Sequence, residues 1–189
     1  MRVAFVNLIR QNQLHDAEYH RAINRVVRNA DFILGRDLIR FETVFARFCG
    51  TKYCIGLNSG TDALEFALKA LGIGLDDEVI TAPNSYFSTA MVITKTGATP
   101  VFADINPRTY TLDPHQISQK ITSKTRAIIP VHLYGQPADM DQIIKLARQY
   151  KLAIIEDCCQ AHGAKYKGKT VPVTGLGAFS FYPGKNLGS

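Results

Sequence analysis

The chain has 189 residues, of which 46% are hydrophobic and none is tryptophan, enough for one domain, or one and a fragment, with a real core. No apolar run reaches the length of a membrane span and Met1 to Asn12 lacks a signal-peptide layout, which points to a cytoplasmic protein without membrane association. The formal charge of +6 comes from Lys and Arg scattered along the chain rather than gathered with aromatics, a pattern that speaks against nucleic acid and suits an anionic small substrate.

After an apolar lead-in from Met1 to Leu8, the spacing of Leu14, Ala17, Ala22, Val26 and Ala30 predicts a helix over residues 11–29. Its many Arg and His residues suggest an exposed or interface face. Phe32-Ile33-Leu34-Gly35 interrupts the pattern, and Asp37 is the expected N-cap of a second helix. Leu38, Phe41, Val44, Phe45 and Phe48 fall on one face of it as core, and Gly50 ends it.

From residue 51 the rhythm changes to strand, helix, strand. Tyr53 to Leu57 is strand-like, and Ala63, Phe66, Ala67, Ala70 and Leu71 mark an amphipathic helix closed by Gly72. Strands are expected over residues 78–82, 100–104, 127–133 and 152–155. Helices are expected over 85–95, 113–121 (with Pro114 at its start) and 139–150. A last short strand runs from Gly177 toward Pro183. Apolar strands alternating with amphipathic helices predict an α/β fold, a three-layer, mostly parallel sheet with helices on both faces. In such sheets ligands gather beyond the carboxyl ends of the strands, which selects the residues to weigh.

Asn58-Ser59-Gly60-Thr61-Asp62 lies between a strand and a helix. Gly60 lets backbone approach a ligand, and free N–H groups with the Ser59 and Thr61 hydroxyls suit a phosphate, although Ser and Thr serve equally as helix caps. Glu156-Asp157 follows four apolar residues directly, and a carboxylate such as Asp157 at the end of that strand needs a partner, either a cation or a local cap. Tyr86, after another strand, could stack on a flat ring or simply pack. Ser180 faces opposite to Phe179 and Phe181 on the final strand. Lys185 stands just past that strand, where partial burial would free its amine as a nucleophile. A phosphate cradle, an aromatic plate, a buried carboxylate and a lysine together fit pyridoxal 5'-phosphate. The lysine would form a Schiff base and the carboxylate would keep the ring nitrogen protonated.

Other nucleotide and metal motifs fail. Gly184-Lys185 lacks the P-loop glycine, with Phe179 in its place, and Asn186 stands where Ser or Thr is needed. Gly72-Ile73-Gly74 follows a helix instead of opening one. The cysteines Cys49, Cys54, Cys158 and Cys159 form no Cys-x-x-Cys pair, and Cys158-Cys159 with His162 does not have zinc spacing.

Five stretches then carry a resemblance. These are Asn58-Ser59-Gly60-Thr61-Asp62-Ala63-Leu64, the run from Gly97 to Phe102, the run from Ile129 to Met140, Ile155-Glu156-Asp157 with Gln160-Ala161-His162-Gly163-Ala164, and the run from Phe179 to Gly188. In order and spacing they resemble the DegT/DnrJ/StrS family of sugar aminotransferases, within the fold-type I pyridoxal phosphate enzymes. The resemblance implies that Lys185 holds the cofactor, Asp157 pairs with the ring nitrogen, Gln160 sits near the ring hydroxyl and Tyr86 stacks on the ring. It implies that Gly60, Thr61 and Ser180 bind the phosphate.

The implied reaction moves an amino group, usually from glutamate, to a keto group of a nucleotide-linked sugar, in a homodimer whose subunits share each site. Cys158-Cys159 stands where the family commonly has Ala-Ala. Family members continue past the lysine with a Gly-rich turn, a further strand and a small C-terminal domain. The expectation is therefore an N-terminal helical segment over 1–50 and an incomplete cofactor-binding large domain over 51–189. Two other readings are a catalytically inactive remnant that binds cofactor or a partner chain, and a sugar dehydratase, which Lys185 disfavours because such enzymes use His there.

Overall fold

A computed structural model of the chain describes residues 6–188, so most of the apolar lead-in, residues 1–5, and Ser189 lie outside the described residues. The chain divides into two compact units, Met1–Gly56 and Leu57–Ser189.

The first unit is helical. The single helix expected over residues 11–29 is two, α1 (Leu8–Gln13) and α2 (Asp16–Asn29). His15 breaks them with φ −125° and ψ 13°, and Asp16 and Glu18 supply the negative charge that favours a fresh helix start. Helix α3 (Arg36–Cys49) begins at Gly35, not at Asp37. Asp31 supplies the acceptor there, taking the Arg36 N–H at 3.0 Å, while Asp37 in the first turn binds Arg25 at 2.8 Å. The aromatic stripe is only partly core: Phe45 is buried, but Phe41 and Phe48 keep 37% and 48% exposure. Gly50 ends α3 with φ +68°, a conformation that a Cβ would strain. Tyr53 to Leu57 is not a strand. Its alternation suits one, but a strand exists only against a partner, and among the described residues none pairs with it.

The second unit is the α/β sheet. Helix α4 (Gly60–Ala70) leads to β1 (Glu78–Thr81), α5 (Phe87–Lys95), β2 (Thr99–Phe102), α6 (Pro114–Lys120) and β3 (Thr125–Ile129). Then come α7 (Met140–Tyr150), β4 (Ala153–Ile154), β5 (Glu156–Asp157), the hairpin of β6 (Lys165–Tyr166) and β7 (Lys169–Thr170), and β8 (Gly177–Ala178). Strands β2, β1, β3 and β4 pair in that order, all parallel. Strand β3 stops four residues short of the expected Leu133, because Pro130 has no N–H to donate. The sheet nevertheless continues: Ile155 N donates to Ile128 O, Asp157 N to Pro130 O, and β5 pairs in parallel with β8. Strand β8 is likewise short and ends at Ala178.

Alternation along the strands sends side chains to both faces. Val79, Ala127 and Ile129 pack with Leu64 and Leu68 of α4 and Val92 and Ile93 of α5. Ile80 and Ile128 pack on the other face with Ile117 of α6 and Met140, Ile143 and Ala147 of α7. This is the three-layer sandwich that the apolar strands and amphipathic helices predict. Within α4 the buried face is Leu64 and Leu68, while the expected Phe66 and Leu71 stay largely exposed.

Helices α4 and α5 are tied to each other as well as to the sheet. Thr61 Oγ1 donates to Ser88 Oγ at 3.0 Å, and buried Glu65 takes both Lys69 and Lys95 at 2.6 Å. Both helix starts therefore stand side by side at the carboxyl edge of the sheet.

Candidate functional site

Because all paired core strands are parallel, their carboxyl ends share one edge, and the chemistry-bearing residues of the second unit collect there. Asp157 ends β5 and is 5% exposed. Its Oδ2 accepts from Thr89 Oγ1 at 2.9 Å and its Oδ1 from Cys159 N at 3.1 Å. Among the described residues no cation reaches ion-pair distance of Asp157. Its backbone is equally fixed: His132 N donates to Asp157 O at 3.0 Å and Cys158 N to Ala178 O at 2.8 Å.

The start of α4 presses against the chain beyond β8. An added Cβ on Gly60 would sit 2.9 Å from both Cys159 Sγ and Ser180 Cβ and 3.2 Å from Phe179 O. This is a close approach that only glycine permits. It brings Gly60, Ser180 and Cys159 together. Ser59 caps the helix by accepting the Asp62 N–H at 3.0 Å, so the capping reading holds for its side chain. The first N–H groups of a helix lack intrahelical acceptors, and those of Gly60 and Thr61 lie at this junction. These amides and the Ser88 and Ser180 hydroxyls are donors of the kind that can hold an anion, with the Thr61 hydroxyl donating to Ser88.

Tyr86 is the N-cap residue of α5 and is 72% exposed, so it packs against no core. Its carbonyl accepts the Thr89 N–H at 3.1 Å, which links it to the residue that binds Asp157. Gln160 Oε1 accepts the Tyr134 N–H at 3.0 Å. Lys185 is half-buried in the turn after Pro183, its N–H donating to Tyr182 O at 2.8 Å. Among the described residues it has no carboxylate partner and no hydrogen bond to Asp157 or Gln160.

Lys185 is nevertheless felt by its neighbours. Burial and the Asp157 charge push the Cys159 thiol far up, while the Lys185 charge pulls it the other way. Burial pushes the His162 pKa below the usual histidine value against the pull of Asn186 and Ser180, and Lys185 adds to the fall. His162 stands 5.3 Å from the Phe179 ring and 5.2 Å from Phe181. Asn186 and Ser180 lie close to its ring nitrogens but outside hydrogen-bonding geometry.

Thr89 and Ser88 stand at this edge although the sequence did not single them out, and Cys159, weighed there only as a metal ligand and in place of Ala, joins them. Thr89 reads as an ordinary helix residue; only the packing of α5 on β5 reveals its partner. The second buried cluster, His132, Glu156 and Cys158, has ligand types for a metal. The lone pairs of Glu156 and His132 are already committed. Glu156 accepts from His132 Nε2 (2.9 Å), Val173 N (3.0 Å), Thr174 N (2.7 Å) and Thr174 Oγ1 (2.5 Å), and His132 Nδ1 accepts from Ala138 N (3.2 Å). It is a structural knot beneath Asp157.

The residues fit pyridoxal phosphate on two counts. A Cβ would fill the junction at Gly60, as expected where backbone amides must reach a phosphate, and Asp157 is a buried carboxylate whose donors are neutral.

Comparison with known proteins gives a consistent picture. The model of the DegT/DnrJ/EryC1/StrS aminotransferase family matches residues 13–189. The chain is 46% identical over 188 residues to the dTDP-3-amino-3,4,6-trideoxy-alpha-D-glucose transaminase of Streptomyces venezuelae, covering 99% of this chain and 50% of the relative. The crystal structure of S. venezuelae DesV in complex with a ketimine intermediate superposes with a TM-score of 0.97 at 46% identity, over 99% of this chain and 51% of that one. NtdA from Bacillus subtilis with bound cofactor PMP superposes with a TM-score of 0.92 at 37% identity, over 99% of this chain and 42% of that one. The chain thus spans about half the length of the curated relatives it matches.

Proposed function

The chain belongs to the DegT/DnrJ/EryC1/StrS aminotransferase family, and from that premise we propose that it is the cofactor-binding portion of a pyridoxal phosphate-dependent aminotransferase. Its reaction moves an amino group from glutamate to a keto group of a nucleotide-linked sugar. The substrate class is supported by the dTDP-sugar relative, and the cofactor by the PMP-bound NtdA structure.

The observation that carries the proposal is Asp157, a buried carboxylate held on both oxygens by neutral donors at the ligand-binding edge of the sheet. A buried anion of this kind is completed by a cation, and a protonated ring nitrogen is one. The N–H groups of Gly60 and Thr61 and the hydroxyls of Thr61 and Ser180 would take the phosphate. Tyr86, exposed at the start of α5, would cover the ring, and Gln160 would lie by its hydroxyl. When bound, the cofactor supplies an electron sink that makes the substrate Cα–H acidic. Lys185 would hold the cofactor covalently and, once displaced, carry the proton on Nζ. We further propose a homodimer as the working assembly.

Titration of the chain with pyridoxal phosphate tests this. Binding should produce a visible band that glutamate, but not glucose, discharges. A band that glutamate leaves unchanged would refute amino transfer, and the absence of any band would refute cofactor binding.

A further inference from the structure

We infer that Thr89 is a positioning residue that fixes Asp157 relative to the start of α5, an assignment that rests on the cofactor reading above. Thr89 is 1% exposed and makes two contacts with different halves of the site. Its Oγ1 donates to Asp157 Oδ2 at 2.9 Å, and its N–H donates to Tyr86 O at 3.1 Å. One residue therefore contacts Asp157 through its side chain and Tyr86 through its backbone.

Asp157 cannot set its own orientation. Cys159 N holds Oδ1, but that contact is local, two residues along the same chain, and leaves the carboxylate free to tilt about it. The Thr89 hydroxyl supplies the second point, from another element, and the two contacts together with the Cβ–Cγ bond fix the carboxylate plane. Hydrogen bonds to an ionised acceptor are about twice as strong as neutral ones, so losing this one is felt by whatever Asp157 binds. Helix α5 is itself anchored to α4 through Thr61–Ser88 and Glu65–Lys95, so the Thr89 hydroxyl is referred to the same frame as the phosphate donors.

The test compares the wild-type chain with Thr89→Val, which keeps the shape and removes the hydroxyl, and Thr89→Ser, which restores it. Thr89→Val should bind pyridoxal phosphate about ten-fold or more weakly, on the scale of a lost hydrogen bond to a charged group. With ring-15N-labelled cofactor, its nitrogen signal should move toward the unprotonated position. Thr89→Ser should return both toward wild type. Thr89→Val indistinguishable from wild type in both readouts would overturn the Thr89 role alone. Thr89→Ser folded but as weak as Thr89→Val would overturn it too, since the hydroxyl would then not be what matters. A wild-type chain with no Lys185-dependent binding would overturn the cofactor reading and this inference together.

Discussion

Glu156 and Asp157 are neighbours on one short strand, both buried, and their side chains meet opposite environments. Glu156 is enclosed by four donors from His132, Val173 and Thr174, whereas Asp157 has two and lies at the ligand edge. Burial alone would raise the Glu156 pKa, but the hydrogen bonds from His132 and Thr174 outweigh it and hold it below the ordinary 4.5. A carboxylate depressed in the folded state contributes stability that is complete above its unfolded pKa and lost as pH falls through the folded one. Urea unfolding should therefore show stability declining below pH 4.5, with that component missing in Glu156→Gln. Glu156→Ala, which strands the His132 and Thr174 donors, should cost roughly 3–5 kcal/mol at neutral pH. Equal stability of Glu156→Ala and wild type would contradict this. At this scale the acidic pair was legible, because Glu156-Asp157 breaks the apolar run from Leu152 to Ile155, while the choice of Asp157 over Glu156 rested on the resemblance. Thr89 was not, because a threonine inside an apolar helix carries no mark of its partner 68 residues away.

At the scale of elements, the site depends on how closely α4 approaches the chain after β8. Gly60→Ala places a methyl 2.9 Å from Ser180 Cβ and 3.2 Å from the Phe179 carbonyl. Cys159 could rotate away, but those two cannot without moving backbone. The variant should lose about 1–3 kcal/mol of stability, a typical overpacking cost. It should also bind inorganic phosphate and pyridoxal phosphate more weakly. Stability and affinity both unchanged would show that the helix start is not held against β8. The parallel sheet and its helices were readable from continuous apolar strands and 3.6-residue stripes. Tyr53 to Leu57 was misread because alternation reports a half-buried face but not whether a partner strand exists. Asp37 was misread as a cap because Asp31, across the Phe32–Gly35 bend, reaches the Arg36 amide instead.

At the scale of the whole molecule, helices α1 to α3 belong to the first unit, and the sheet with its candidate site belongs to the second. Among the described residues, no helix is long and apolar enough to cross a membrane. The surplus of positive charge, +6, is consistent with an anionic substrate without specifying one. Every proposed cofactor residue lies in the second unit. The central claim thus reduces to one lysine among several. Borohydride reduction of the chain with pyridoxal phosphate, followed by peptide mapping, separates Lys185 from the rest. One cofactor mass on the peptide carrying Lys185, absent from Lys185→Ala, is the predicted result. Label spread over exposed lysines such as Lys165, Lys167 and Lys169, and unchanged by Lys185→Ala, would contradict it.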